Sequence, residues 1–165
     1  MSRFVSPLRR RSLLVASAGS ALLAACGTKP PPPPKPTQVS GSIKASAGLN
    51  PSVTGRPSPL QVRVYELKAP AAFNTADFMS LYQGDQGALG VDMVSREEMT
   101  LQPGESRPYN KTLSPETRFV GVVGFYRALE RANWRTVVAI QPNQTQQLAI
   151  NVGDLAISAT VALKP

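Results

Sequence analysis

From residue 37 onward, apolar and polar positions alternate in short runs. Val39, Gly41, Ile43 and Ala45 alternate with Gln38, Ser40, Ser42 and Lys44, the pattern of a half-buried strand. Leu60 to Leu67 repeats it, with Leu60, Val62 and Val64 on one face. Between these runs, residues 47–59 read AGLNPSVTGRPSP, where three prolines and two glycines predict a loop. In residues 91–113, Met99 and Leu101 lead into the turn pair Pro103-Gly104, and Arg107 to Leu113 can run back, which predicts a hairpin. Phe119 to Tyr126 is apolar on both faces and predicts a central strand, its glycines allowing close backbone approach. Trp134 to Ile140, then Leu148 to Val152, then the alternating Leu155 to Leu163 predict three more strands.

One segment breaks the period of two. Phe78, Leu81 and Tyr82 lie three and four apart, one face of a short helix. Asn74 or Thr75 can cap it, with Asp77 in the first turn, and the glycine-rich GDQGALG at residues 84–90 is expected to end it. Seven or eight short strands with one helix insert predict an all-β domain, an antiparallel two-sheet β-sandwich. A small barrel and a transthyretin-like arrangement, itself a sandwich, are the variants of this pattern.

The start of the chain follows a different logic. Arg3, Arg9, Arg10 and Arg11 precede an uncharged stretch of apolar and small residues, 12–25, and then Cys26, the only cysteine. A basic start, a short apolar run and small residues at the exit describe an export signal. The run is too short to span a bilayer, which needs about 20 apolar residues. Leu23-Ala24-Ala25-Cys26 resembles a lipobox, which implies cleavage before Cys26 and acylation of its thiol and new amine. Arg10-Arg11 also resembles a twin-arginine motif, so either export route is open. Gly27, in the place of a retaining aspartate, points to the outer membrane. Residues 1–25 are thus expected to be a signal peptide and 26–36 a lipidated start with a proline-rich tether. The sandwich is expected to occupy 37–165. Ten residues of extended GTKPPPPPKP reach about 30 Å.

The leader changes the electrostatics. The chain of 165 residues carries 18 basic and 10 acidic side chains, but four of the basic ones fall in residues 1–25. The remainder is +4, with its cations scattered, which argues against a nucleic-acid partner. The chain contains no histidine, no GxSxG and no phosphate-binding glycine loop. That removes the Ser-His-Asp triad and His-ligated zinc. No metal or cofactor is called for, and catalysis is not expected.

An ordered set of segments resembles the Type VI secretion lipoproteins, the TssJ (VasD/Lip) family. The segments are Asn50-Pro51, Gly55 to Leu60 running into Val62 to Leu67, Phe73 to Tyr82, Leu101 to Glu105, Gly121 to Arg127, and Trp134-Arg135. They span nearly all of 37–165 behind the lipobox. The resemblance implies a transthyretin-like sandwich on the periplasmic face of the outer membrane. It further implies binding to the periplasmic C-terminal region of the inner-membrane protein TssM, with oligomers formed only inside the secretion membrane complex.

In the family the loop between the first two strands meets that partner, which places the contact in residues 47–59. A proline-braced loop loses little entropy on binding. Leu49, Asn50, Pro51, Val53 and Arg56 are the candidate contacts, with residues 49–54 expected to tolerate replacement by a Gly/Ser linker. Arg56 and Pro57 can instead shape the start of the second strand, and Leu49 and Val53 can fold back on the sandwich. Trp134 and Tyr126 raise an alternative, a lipid-anchored module stacking on a glycan or small ligand, against ordinary core packing at strand positions.

Overall fold

The structure, a computed structural model, describes residues 32–164. The leader 1–25, Cys26 and the tether as far as Pro31 lie outside the described residues. A compact unit begins at Pro33. It contains eight strands: β1 (Gln38–Ala45), β2 (Leu60–Leu67), β3 (Met93–Leu101), β4 (Ser106–Thr112), β5 (Phe119–Gly124), β6 (Arg135–Ala139), β7 (Thr145–Val152) and β8 (Ile157–Leu163). Two helices, α1 (Ala71–Thr75) and α2 (Phe78–Leu89), separate β2 from β3.

The strands form the expected β-sandwich. One sheet has the order β4-β1-β7-β8 and the other β3-β2-β5-β6. All pairs are antiparallel except β1 with β7, which run parallel from Gln38 opposite Thr145 to Ala45 opposite Val152. Val39, Ile43, Leu148, Ile150 and Ile157 of the first sheet meet Leu60, Val62, Val64, Leu101, Val120 and Val122 of the second in one dry core. Each fully buried aliphatic side chain contributes about 1.5–3 kcal/mol, so the inward positions of the alternating pattern account for the two-layer arrangement. Asn133 ties the two sheets along one side, donating to the Leu155 carbonyl (2.8 Å) and accepting from the Ile157 amide (2.9 Å).

The second sheet is covered on its other face as well. Tyr65, Leu67 and Val123 lie beneath Phe73 of α1 and Leu81 and Leu89 of α2. This explains why β5 is apolar on both faces. It also explains Gly121, where a Cβ would stand 2.8 Å from the Phe73 ring. The helical segment is therefore a lid, with Leu81 beneath it and Tyr82 47% exposed on top.

Three local expectations are corrected. The predicted hairpin is absent: β3 pairs with β2 in one sheet and β4 with β1 in the other. Pro103-Gly104 does turn the chain, with Gly104 at φ 76°, but the turn carries it across the sandwich. Met99, Leu101, Tyr109 and Leu113 reach one core from opposite sheets, and alternation alone cannot distinguish that from pairing. The cap of the main helix is Asp77, which accepts from the Ser80 amide at 2.9 Å. Thr75 instead bonds back to the Ala71 carbonyl (3.0 Å) and closes α1. Finally, α2 passes through the glycine-rich run, breaking only at Gly84 and stopping at Gly90 (φ 53°). Its second half is held by buried Asp85 and Leu89 rather than by helix propensity.

Candidate partner-binding site

The loop after β1 is built from its base upward. Ser46 donates its hydroxyl to Asp154 (2.6 Å), and the Asn50 amide donates to the Asp154 carbonyl (3.0 Å). Leu49 enters the core and is fully buried, and its carbonyl accepts from the Ser58 amide at 2.8 Å. Asn50 adopts φ 48°, a conformation asparagine tolerates better than most residues. Its side-chain amide donates to the Pro59 carbonyl (3.0 Å), and its Oδ1 accepts from the Arg127 backbone amide (3.0 Å). One side chain thus joins both arms of the loop to the connection between β5 and β6.

Above this base the tip closes on itself. The Ser52 amide donates to the Arg56 carbonyl and the Gly55 amide to the Ser52 carbonyl, both at 2.9 Å. The Arg56 amide donates to Ser52 Oγ (3.2 Å), and Gly55 supplies φ 80°. Val53 stands at the apex with its side chain fully in solvent (104%). Between Pro51, Ser52 and Val53 on one side and Arg127, Ala128 and Arg131 on the other lies an open cleft of about 280 Å³. Residues 129–131 form a single 3-10 turn.

The structure separates the five candidate contacts. Val53 and Arg56 are exposed, and Pro51 is half-buried on the cleft wall. Leu49 belongs to the core and Asn50 braces the loop, so neither side chain is available to a partner. Replacing residues 49–54 wholesale would open the core and cut both Asn50 bonds, so the expected tolerance holds only for the tip. Nothing in the loop's residues marks which apolar one turns inward. The cleft's other wall, Arg127 to Arg131, was missed, although two arginines four apart in a connection are a visible signal.

The aromatic pair has no open sugar platform. Tyr126 is buried, and its hydroxyl donates to the Gly153 carbonyl at 2.9 Å. Trp134 is packed edge-on against Phe78, 5.3 Å between ring centroids, with the Arg135 guanidinium over its ring at 4.7 Å. Among the described residues no group of three His, Cys, Asp or Glu side chains is placed to hold a metal.

Two buried carboxylates went unnoticed in the sequence because their partners are distant in the chain. Asp85 accepts from Arg96 at 2.6 Å on both oxygens, from the Tyr65 hydroxyl at 3.0 Å and from Arg63 at 3.3 Å. Burial alone would raise its pKa. The Arg96 and Tyr65 hydrogen bonds and the two arginine charges outweigh burial and hold it below the usual carboxylate range. Glu66 is likewise held low against burial, chiefly by the Thr117 hydroxyl (2.6 Å) and the Ser114 amide (2.9 Å). Lys111 completes its shell at 2.9 Å. The Asp85 network fastens the lid to β2 and β3, and the Glu66 network fastens β2 to β4 and to the connection before β5, so their perturbed acidity has a structural cause.

A sandwich that presents a braced, solvent-facing loop has the form of a scaffold or adaptor. The chain belongs to the Type VI secretion lipoprotein family (VasD, EvfM, TssJ), whose model matches residues 37–155. That family is a structural class of lipoprotein, not an enzyme class. The chain is 41% identical to the Type VI lipoprotein TssJ1 of Pseudomonas aeruginosa, covering 79% of this chain and 99% of that one at a TM-score of 0.75. It is 27% identical to a chain of a solved Type VI membrane complex, covering 79% and 100% at 0.63. It is 26% identical to a chain of a structure described as the TssM C-terminal domain (869-1107) from EAEC, covering 74% and 99% at 0.60. No curated protein sequence matches the chain.

Proposed function

We propose that this chain is the outer-membrane-anchored lipoprotein of a Type VI membrane complex. It holds the periplasmic C-terminal region of a TssM-type inner-membrane protein and so links the two membranes. The observation that carries this is the braced tip Ser52–Arg56, which presents Val53 to solvent on a loop tied down by Asn50. An exposed aliphatic side chain on a preorganised loop is a low-entropy anchor for a partner's pocket. The 26% identical chain in the structure described by the TssM C-terminal domain supports the choice of partner.

Val53→Asp tests the reading. It should weaken binding to the TssM-type C-terminal domain by at least about tenfold, roughly 1.4 kcal/mol. The thermal transition should stay in place, because Val53 has no packed neighbours to lose. Unchanged affinity in a calorimetric titration would remove the tip from the interface.

The anchor is part of the same proposal, with residues 1–25 as signal peptide, 26–36 as lipidated tether and 37–165 as the binding domain. Cys26→Ser removes the thiol that would carry lipid. Each buried methylene contributes about 0.8 kcal/mol to membrane retention. The variant should leave the outer-membrane fraction with its sandwich folded. Retention after a high-salt wash would sink the lipid anchor.

A further inference from the structure

The cations around the cleft are distributed unevenly. The described residues include eight arginines. Arg63, Arg96 and Arg107 reach carboxylates, and Arg118 and Arg135 donate to backbone carbonyls. Arg56, Arg127 and Arg131 are the remaining three, and among the described residues their side chains have no hydrogen-bond or ion-pair partner. All three lie on the loop tip or on the turn across the cleft from it. Arg127 and Arg131 both line the cleft, one before and one at the end of a single 3-10 turn. The one acid on that turn is Glu130.

The cleft also carries apolar surface. Val53, Pro51 and Ala128 line the cleft between the cations. Asn50 bonds the Arg127 backbone and the loop together, so the two walls are held in a fixed relation. Arginine is enriched at interfaces, where its planar fork donates two parallel hydrogen bonds to a carboxylate and is more weakly hydrated than a lysine ammonium.

We infer that this cleft receives an acidic segment of the partner. One apolar side chain lodges against Val53 and Pro51, and flanking carboxylates pair with Arg127 and Arg131. The inference rests on the TssM-type reading above and specifies the chemistry that reading leaves open. Charge complementarity selects the occupant: two free cations on one wall, with Arg56 free on the adjoining tip, favour an anionic partner strand and disfavour a basic one.

The test uses the mature lipoprotein in nanodiscs of neutral lipid and the C-terminal domain of the TssM-type protein from the same secretion system. Arg127→Glu with Arg131→Glu should weaken affinity by at least about tenfold, mainly through slower association. Wild-type affinity should fall as salt rises from about 50 to 500 mM, and the reversed variant should lose most of that dependence. Both positions are exposed, so the thermal transition should not move. Three results would overturn the inference. If V53D abolishes binding while the double reversal stays within about twofold of wild type, the loop docks but the arginines do not select. If the reversal instead lowers retention on vesicles containing phosphatidylglycerol, the cations serve a lipid surface. If the wild type does not bind at all, the partner assignment fails and takes this cleft with it.

Discussion

Gly41→Ala should be among the most damaging single changes in the sandwich. Gly41 lies in β1 between β4 and β7, opposite Tyr109 on one side and Leu148 on the other. A Cβ there would overlap the Leu148 carbonyl oxygen. That oxygen is backbone, so relief requires β1 and β7 to separate, not a side chain to swing aside. The strands flank the core residues Val39, Ile43, Leu148 and Ile150, and separation would loosen all four. The expected loss is at least about 3 kcal/mol, roughly 10 °C in the thermal transition of a domain this size. Scanning calorimetry of the periplasmic domain would measure it. A transition within about 2 °C of wild type would mean that the ladder adjusts without cost.

Asp85→Asn should cost nearly as much, by a different route. Asp85 is 3% exposed, and its carboxylate faces two guanidinium groups. Asparagine keeps the shape but removes the negative charge that both guanidinium groups face. Breaking a buried pair from one side typically costs about 3 kcal/mol. Arg63 retains Glu98 at 2.6 Å and Arg96 can turn to solvent, which places the value at the low end of that range. Loss should concentrate in residues 85–89, where two helix-weakening glycines flank Asp85, and amide exchange there should accelerate more than in β5. The pH dependence has a definite sign. The folded carboxylate has a depressed pKa, so its stabilisation is fully present above the unfolded value of about 3.9 and is lost as pH falls through the folded value. The gap between wild type and D85N in urea denaturation should therefore be constant near neutrality and close only below about pH 4. A gap that closes between pH 6 and 8 would assign the effect to another group.

Where local chemistry decides, the sequence could be read. β1 and β2 declare themselves by alternation, and β5 by being apolar on both faces. The loop of residues 47–59 is marked by proline and glycine. What escaped depends on partners far away in the chain. Alternation says which side of β3 and β4 is dry, not which strand lies beside them. The parallel neighbour of β1 is β7, about a hundred residues on, and nothing in either run names the other. The glycine-rich half of α2 looks like a terminator until Arg63, Tyr65 and Arg96 are seen to hold Asp85. Leu49 and Val53 are two aliphatic residues in one polar loop. Backbone bonds from Ser58 and Asn50 turn the first inward and leave the second at the apex. The unpaired arginines could be found only after the other five had been assigned their partners.

The position of β1 has a mechanical consequence. The chain enters β1 at Gln38 and leaves it at Ala45, so the proposed anchor and the proposed binding tip are attached to opposite ends of one strand. Seven strand intervals put those two ends about 23 Å apart. Tension between a lipid at one end and a partner at the other would run along β1. β1 is already extended, so its covalent backbone would carry that load directly and its ladders to β4 and β7 would bear little of it. A domain loaded through two different strands would instead be pulled apart across its hydrogen bonds. Both ends of the load on one central strand is thus the arrangement that would let a single domain serve as a tension-bearing link.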